Sequence, residues 1–152
     1  MWMVSVLIAQ LAGVVGSIFT TSSVNGWFQT INKPTWNPPG WLFGPVWITL
    51  YTLMGVASYL VWQKRGLNKN IKIALVVYGV HLVLNVLWSI IFFGLKNPGL
   101  AFIEILVLLL FIILTIFLFY KIRPITFWLL LPYLLWTSFA SILNFTIWRL
   151  NP

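Results

Sequence analysis

KPTWNPPGWLFGPVWITLY, residues 33–51, holds three tryptophans, four prolines and two glycines in nineteen positions. Its first half resists regular structure. Pro34, Pro38 and Pro39 each fix a backbone angle and remove a donor, and each biases the residue before it toward extended backbone. Its second half opens a stretch with no charged residue until Lys64. That length of uncharged, mostly apolar chain is enough to cross a bilayer core of ~30 Å as a helix. The segment therefore reads as a stiff aromatic connection that runs into a membrane helix. Trp36 and Trp41 suit headgroup depth, where an amphipathic indole is stable. Gly44-Pro45 is expected to open the helix, because proline in a first turn lacks only an N–H that has no partner there. An aromatic belt does not require so stiff and long a connection. A lid over a cavity does.

The rest of the chain repeats the membrane pattern. Of its 152 residues 61% are hydrophobic and 7% charged, too few charges to cover a soluble domain of this size. Mean hydropathy is +1.01. Five spans are expected, at about 3–21, 44–63, 71–93, 100–120 and 125–148, in one domain covering 1–152. The fold class is an all-α integral membrane protein, a bundle of five transmembrane helices. The first span lacks a basic start, is interrupted by Gln10 and shows no small-residue cleavage site, unlike a cleavable signal peptide. KRGLNKN, GLKNPG and KIRP are short connections that force antiparallel neighbours. The long exception is the first loop, about 22–43, and loops of that length in compact proteins are commonly functional.

The cations orient the bundle. Lys64, Arg65, Lys69, Lys72, Lys121 and Arg123 fall on the side of the N-terminus, against Lys33, Lys96 and Arg149 on the other. The excess places the N-terminus inside and the long loop outside. Because the basic residues sit in short connections between apolar runs, the pI of about 10.2 points to lipid headgroups and topology rather than nucleic acid. With no cysteine there is no disulfide, thiolate nucleophile or thiolate metal site.

Three spans carry stripes of polar-tipped aromatics, amides and small residues at helical spacing. Span two has Trp47, Tyr51, Gly55, Ser58 and Trp62; span three has His81, Asn85 and Trp88; span five has Trp136, Ala140, Leu143 and Asn144. An amide in hydrocarbon without a partner is costly, so Asn85 and Asn144 should face the bundle. They serve either as glue between helices or as part of a shared pocket lined with rings. Gly13, Gly16 and Ser17 on span one permit close helix packing. Glu104, the single acid, is either a functional group inside the membrane or reaches the interface near Lys96 or Arg149. His81, the single histidine, reads as a satisfied interior residue. No carboxylate pair, nucleophile with a base, phosphate loop or metal-ligand cluster is present in the sequence, so hydrolytic, phosphoryl and metal-dependent chemistry have no candidate residues. No span carries the charged stripe of an ion path.

KPTWNPPGWLFGPVWITLYTLMG at 33–55, LNVLWSIIFFG at 84–94 and LLPYLLWTSFASILNFTIWRLNP at 130–152 together resemble the TspO/MBR family, the tryptophan-rich sensory proteins that include the mitochondrial translocator protein. The resemblance spans essentially the whole chain. It implies a five-helix bundle, often a homodimer, that binds porphyrins, isoquinoline-type drug ligands and, in animals, cholesterol, with no cofactor of its own. It places Trp47, Asn85, Trp136 and Ala140 on the pocket wall, Tyr51, Trp88 and Leu143 close to it, and Trp36 in the covering loop. It also implies a tetrapyrrole sensor or transporter in a membrane, here a bacterial plasma membrane. The alternative is a light-dependent porphyrin-degrading enzyme, for which Trp47 and Trp136 are the candidate catalytic residues. Trp47 is expected near the outer mouth and Trp136 about half-way through the membrane. Two positions depart from the family pattern. Phe145 stands where the sterol motif, ending at Arg149, has a tyrosine, and span three has Gly79 without a second glycine for a dimer seam.

Overall fold

The protein is described by a computed structural model covering residues 2–24, 26–66 and 70–152. Lys69, one of the cations in the orientation argument, and Asn25 in the first connection lie outside the described residues. The elements are α1 (Trp2–Val24), the short α2 (Trp27–Thr30), α3 (Gly40–Trp62), α4 (Asn70–Ser89) continuing into a π turn (Ile90–Gly94), α5 (Pro98–Ile122) and α6 (Ile125–Leu150). The stretches Trp41–Trp62, Asn70–Gly94, Pro98–Ile122 and Ile125–Leu150 are each long and apolar enough to cross a membrane. α1 adds a shorter apolar run, Met3–Ile18. The outer faces bear Leu7, Leu11, Val83, Leu110 and Leu135, all exposed, as helices bathed in lipid require. This is an all-α membrane protein.

The first connection is shorter than 22–43, because α1 runs to Val24 and α3 begins at Gly40. Pro39 causes the early start. At φ −62° and ψ 144° it sits in the extended conformation of an N-cap, and its carbonyl accepts from Leu42 N at 3.0 Å. Pro45 therefore lies inside α3 rather than in its first turn. Its missing N–H leaves the Trp41 carbonyl without a helical partner, near the helix end where Trp41 is exposed.

Residues 26–39 are tied down at one end of the bundle. Asn32 N donates to Asn151 Oδ1 at 2.9 Å, and Asn151 Nδ2 returns a bond to Asn32 O at 2.8 Å. Lys33 Nζ donates to Phe28 O at 2.6 Å. Phe28 is buried against Phe92 and Phe93, with centroids 6.2 and 5.6 Å away. The π turn supplies that contact surface, with Ile91, Phe92 and Phe93 as three consecutive buried residues. Asn97 caps α5 with its Oδ1 accepting from Leu100 N at 3.1 Å, and Pro98 follows in the first turn. At the opposite end Arg123 Nη2 donates to Gln63 Oε1 at 2.8 Å and Nε to Leu60 O at 3.3 Å, fastening the α5–α6 turn to the end of α3.

Candidate functional site

α1 and α3 approach closely because glycines face the contact. A Cβ at Gly55 would lie 2.4 Å from Val6 Cα, and one at Gly13 would lie 2.7 Å from Tyr51 Cε2. The α1 face beyond this seam, with Gln10, Gly16, Ser17 and Thr20, becomes one wall of a cavity of about 640 Å³. That volume falls within the ~300–1,000 Å³ typical of small-molecule sites. Trp47 and Tyr51 from α3, Asn85, Trp88 and Ser89 from α4, and Thr137 and Ala140 from α6 complete the polar-tipped and aromatic lining. Ile105 and Leu108 of α5 close the back. A narrower annex of about 50 Å³ shares Trp47, Trp88 and Ala140 with it and is lined further by Phe28, Trp136 and Leu143.

Seven of the eight candidate residues thus border one of the two spaces: Trp47, Tyr51, Asn85, Trp88 and Ala140 the cavity, Trp136 and Leu143 the annex. Trp36 borders neither. It is 45% exposed, with its ring edge-on to Phe139 at 5.7 Å. Phe28 and Gln29 are the loop residues that reach the walls. The order of the two candidate tryptophans is also reversed. Trp136 packs edge-on to Phe43 in the first turn of α3 at 6.0 Å, whereas Trp47 meets Tyr133 at 6.4 Å. Trp136 is therefore nearer the loop. The reason is the length of α6, which continues past the start of α3 to Leu150, beside the loop.

Hydrogen bonding sorts the polar residues. Asn144, almost fully buried, accepts from Trp88 Nε1 at 2.9 Å and donates to Pro98 O at 2.8 Å, so it joins α4, α5 and α6. Asn85 accepts from the Tyr51 hydroxyl and donates to Tyr133 Oη at 2.7 Å. His81 is an interior residue held on both ring nitrogens, at 2.9 Å each. Gln10 Nε2 donates to Ile48 O at 3.0 Å and Thr52 Oγ1 at 2.9 Å, which leaves its carbonyl oxygen as an acceptor on the wall. Two of the unmatched groups belong to residues that line the cavity or its annex. Trp136 Nε1 and Thr137 Oγ1 are buried with no hydrogen-bond partner among the described residues. Glu104 is buried too, with neither carboxylate oxygen paired, so it reaches neither Lys96 nor Arg149. Among the described residues no group of acids, histidines or cysteines forms a metal site.

The sequence reading missed Thr137, Phe28 and, on the α1 wall, Gln10 and Thr20. Only the α1 wall left a signal, since Gln10, Gly13 and Ser17 recur at three- and four-residue spacing.

Ala140 borders both the cavity and the annex. Ala140→Leu should push a branched side chain into that shared space. Because the neighbouring volume is open, the stability cost should stay at the low end of the ~1–3 kcal/mol of overpacking, and the loss should appear in ligand affinity. Ligand titration beside a thermal melt checks this. Parent-like affinity would place Ala140 outside the binding space.

The TspO/MBR family model matches residues 5–149 of the chain. The tryptophan-rich protein TspO of Chlorobaculum tepidum is 42% identical over 144 residues, covering 92% of this chain and 89% of its own. Its counterpart in Archaeoglobus fulgidus is 44% identical over 147 residues, covering 97% and 94%. The human translocator protein is 38% identical over 146 residues, covering 95% and 86%.

Proposed function

The chain belongs to the TspO/MBR family, and from that premise we propose that it is a membrane sensor or transporter for a tetrapyrrole such as protoporphyrin. The observation that carries this reading is an aromatic cavity lined by Thr137, with an annex lined by Trp136, in which Thr137 Oγ1 and Trp136 Nε1 are buried without a partner among the described residues. A buried donor left unsatisfied costs ~1–3 kcal/mol, and a ligand oxygen would remove that cost. A flat macrocycle suits walls made of Trp47, Tyr51 and Trp88, because ring pairs contribute ~0.5–1.5 kcal/mol each beyond their burial. Isoquinoline-type ligands, planar and apolar with a carbonyl, suit the same walls.

In this reading α1 is the fifth span and residues 26–39 are the cover. The cover's anchors are Phe28 on the π turn and Asn32 on Asn151. The N-terminus lies on the inner side of a bacterial plasma membrane. Lys64, Arg65, Lys121 and Arg123 at the α3–α4 and α5–α6 turns would face the anionic lipid surface of that side. A homodimer is compatible with Gly79, around which the surface is open within 4 Å.

The second reading, light-dependent porphyrin degradation, is favoured by the two candidate indoles, Trp47 and Trp136, bordering the same annex beside Trp88. One experiment separates the two. Protoporphyrin IX is titrated into the purified protein, following tryptophan fluorescence and porphyrin absorbance in light and in darkness. Saturable quenching with stable absorbance supports a binder, and bleaching that needs both light and protein supports an enzyme. Absence of saturable quenching sinks both readings.

A further inference from the structure

Four side chains on three helices form a chain of hydrogen bonds that begins at the cavity wall and ends in the core. The Tyr51 hydroxyl donates to Asn85 Oδ1. Asn85 Nδ2 donates to Tyr133 Oη at 2.7 Å, and Tyr133 Oη lies 2.9 Å from His81 Nε2. His81 Nδ1 lies 2.9 Å from the backbone carbonyl of Tyr78. Tyr51 and Asn85 border the cavity. His81 and Tyr133 stand behind them, each 1% exposed.

The direction of this chain is forced from its buried end. A carbonyl only accepts, so in the neutral imidazole the proton sits on Nδ1 and Nε2 is an acceptor. Tyr133 then commits its one O–H to Nε2, and its oxygen receives from the Asn85 amide. That sets the Asn85 amide with nitrogen toward Tyr133 and oxygen toward Tyr51. Tyr51 in turn commits its O–H to Asn85. At the cavity the consequence is specific: Tyr51 has no proton left to give, and Asn85 keeps one N–H with no partner among the described residues. One turn along α6 from Tyr133, Thr137 lines the same cavity, and its buried hydroxyl has no partner among the described residues.

We infer that His81 and Tyr133 are positioning residues that lock Asn85 as a hydrogen-bond donor, so that the cavity selects apolar aromatic ligands carrying a carbonyl-type oxygen over analogues that lack it. The inference rests on the cavity being a ligand site and not on the ligand being a porphyrin. The selection is a difference in affinity, because an acceptor-free ligand strips water from the Asn85 N–H and returns nothing.

Two measurements test it, with benzophenone and diphenylmethane as probes that differ by one carbonyl. The chain has one histidine, so nitrogen-15 labelling of histidine gives one pair of ring signals. The expected spectrum shows a protonated Nδ1 and a bare Nε2. A proton on Nε2, alone or in addition, overturns the inference without any variant having to fold. In the dark, calorimetric titration corrected for partition into micelles should find benzophenone bound about fivefold to tenfold tighter than diphenylmethane, as for one neutral hydrogen bond. Tyr133→Phe should bring the two within about twofold of each other while diphenylmethane keeps its affinity. General loosening of the bundle would weaken both probes alike and leave the ratio intact, which counts against the inference. So does equal or absent binding of the two probes by the parent protein. If protoporphyrin still quenches in that case, the broader functional reading stands while this one falls.

Discussion

Gly55→Leu should detach α1 from the bundle and abolish ligand binding. A Cβ at this position would lie 2.4 Å from Val6 Cα and 2.8 Å from Val6 N, both backbone atoms that no rotamer change can move. Ordinary contact begins at 3.4 Å, so the first added carbon alone demands a displacement of roughly 1 Å, and leucine adds three more carbons. Overpacking of a tight seam costs ~1–3 kcal/mol and more where backbone must shift. The functional effect should exceed the loss of stability, because Gln10, Ser17 and Thr20 reach the cavity only while α1 is seated on α3. Spin labels at the exposed positions Leu11 and Ile48 report the helix separation directly. The distance should widen in the Leu variant and widen less in Gly55→Ala. A Leu variant with the parent distance and parent affinity would show that the seam is not held at Gly55.

The second large effect is expected from the double variant Trp47→Phe, Trp136→Phe. Both rings border the annex, Trp47 against Tyr51 and Tyr133, Trp136 against Phe43 and Phe139. Phenylalanine keeps a stacking surface at each place. What it removes is the indole N–H and the electron-rich indole itself. At position 136 the lost N–H is the buried donor that has no partner among the described residues. Its removal in the empty protein should be close to neutral for stability, since an unsatisfied group goes with it. Porphyrin affinity should fall by about 1 kcal/mol per lost donor bond. Any light-driven conversion of the porphyrin should fall at least tenfold, equivalent to ~1.4 kcal/mol or more in the barrier, measured as bleaching rate at equal occupancy. If the double variant bleaches as fast as the parent, the two tryptophans are packing residues and the enzymatic reading is lost.

Both expectations depend on how helices meet, and this separates what was readable in the sequence from what was not. The helices themselves were readable, because a polar backbone in hydrocarbon has few options and long uncharged runs leave a helix as the solution. The stripes were readable for the same reason: Tyr51, Asn85 and Asn144 cannot face lipid at tolerable cost, and each has buried partners in the bundle. The family resemblance was carried by the same residues, and the family match at residues 5–149 covers them.

Tertiary structure alone decided the rest. Pro45 has a local signature that suits a first turn, but Pro39 captures the N-cap and places Pro45 inside the helix. The two tryptophans could each be put on a face by periodicity. Their order along the cavity needed the offset between α3 and α6, which no single helix encodes. Thr137 falls on the cavity because it follows Tyr133 by one turn on a face that Asn85 fixes from another helix. The donor character of Asn85 lies furthest from sequence. It is set by the Tyr78 carbonyl, through His81 and Tyr133, across two helices. Periodicity determines which side chains turn inward. Hydrogen-bond direction is a property of the closed network and exists only once the helices are packed.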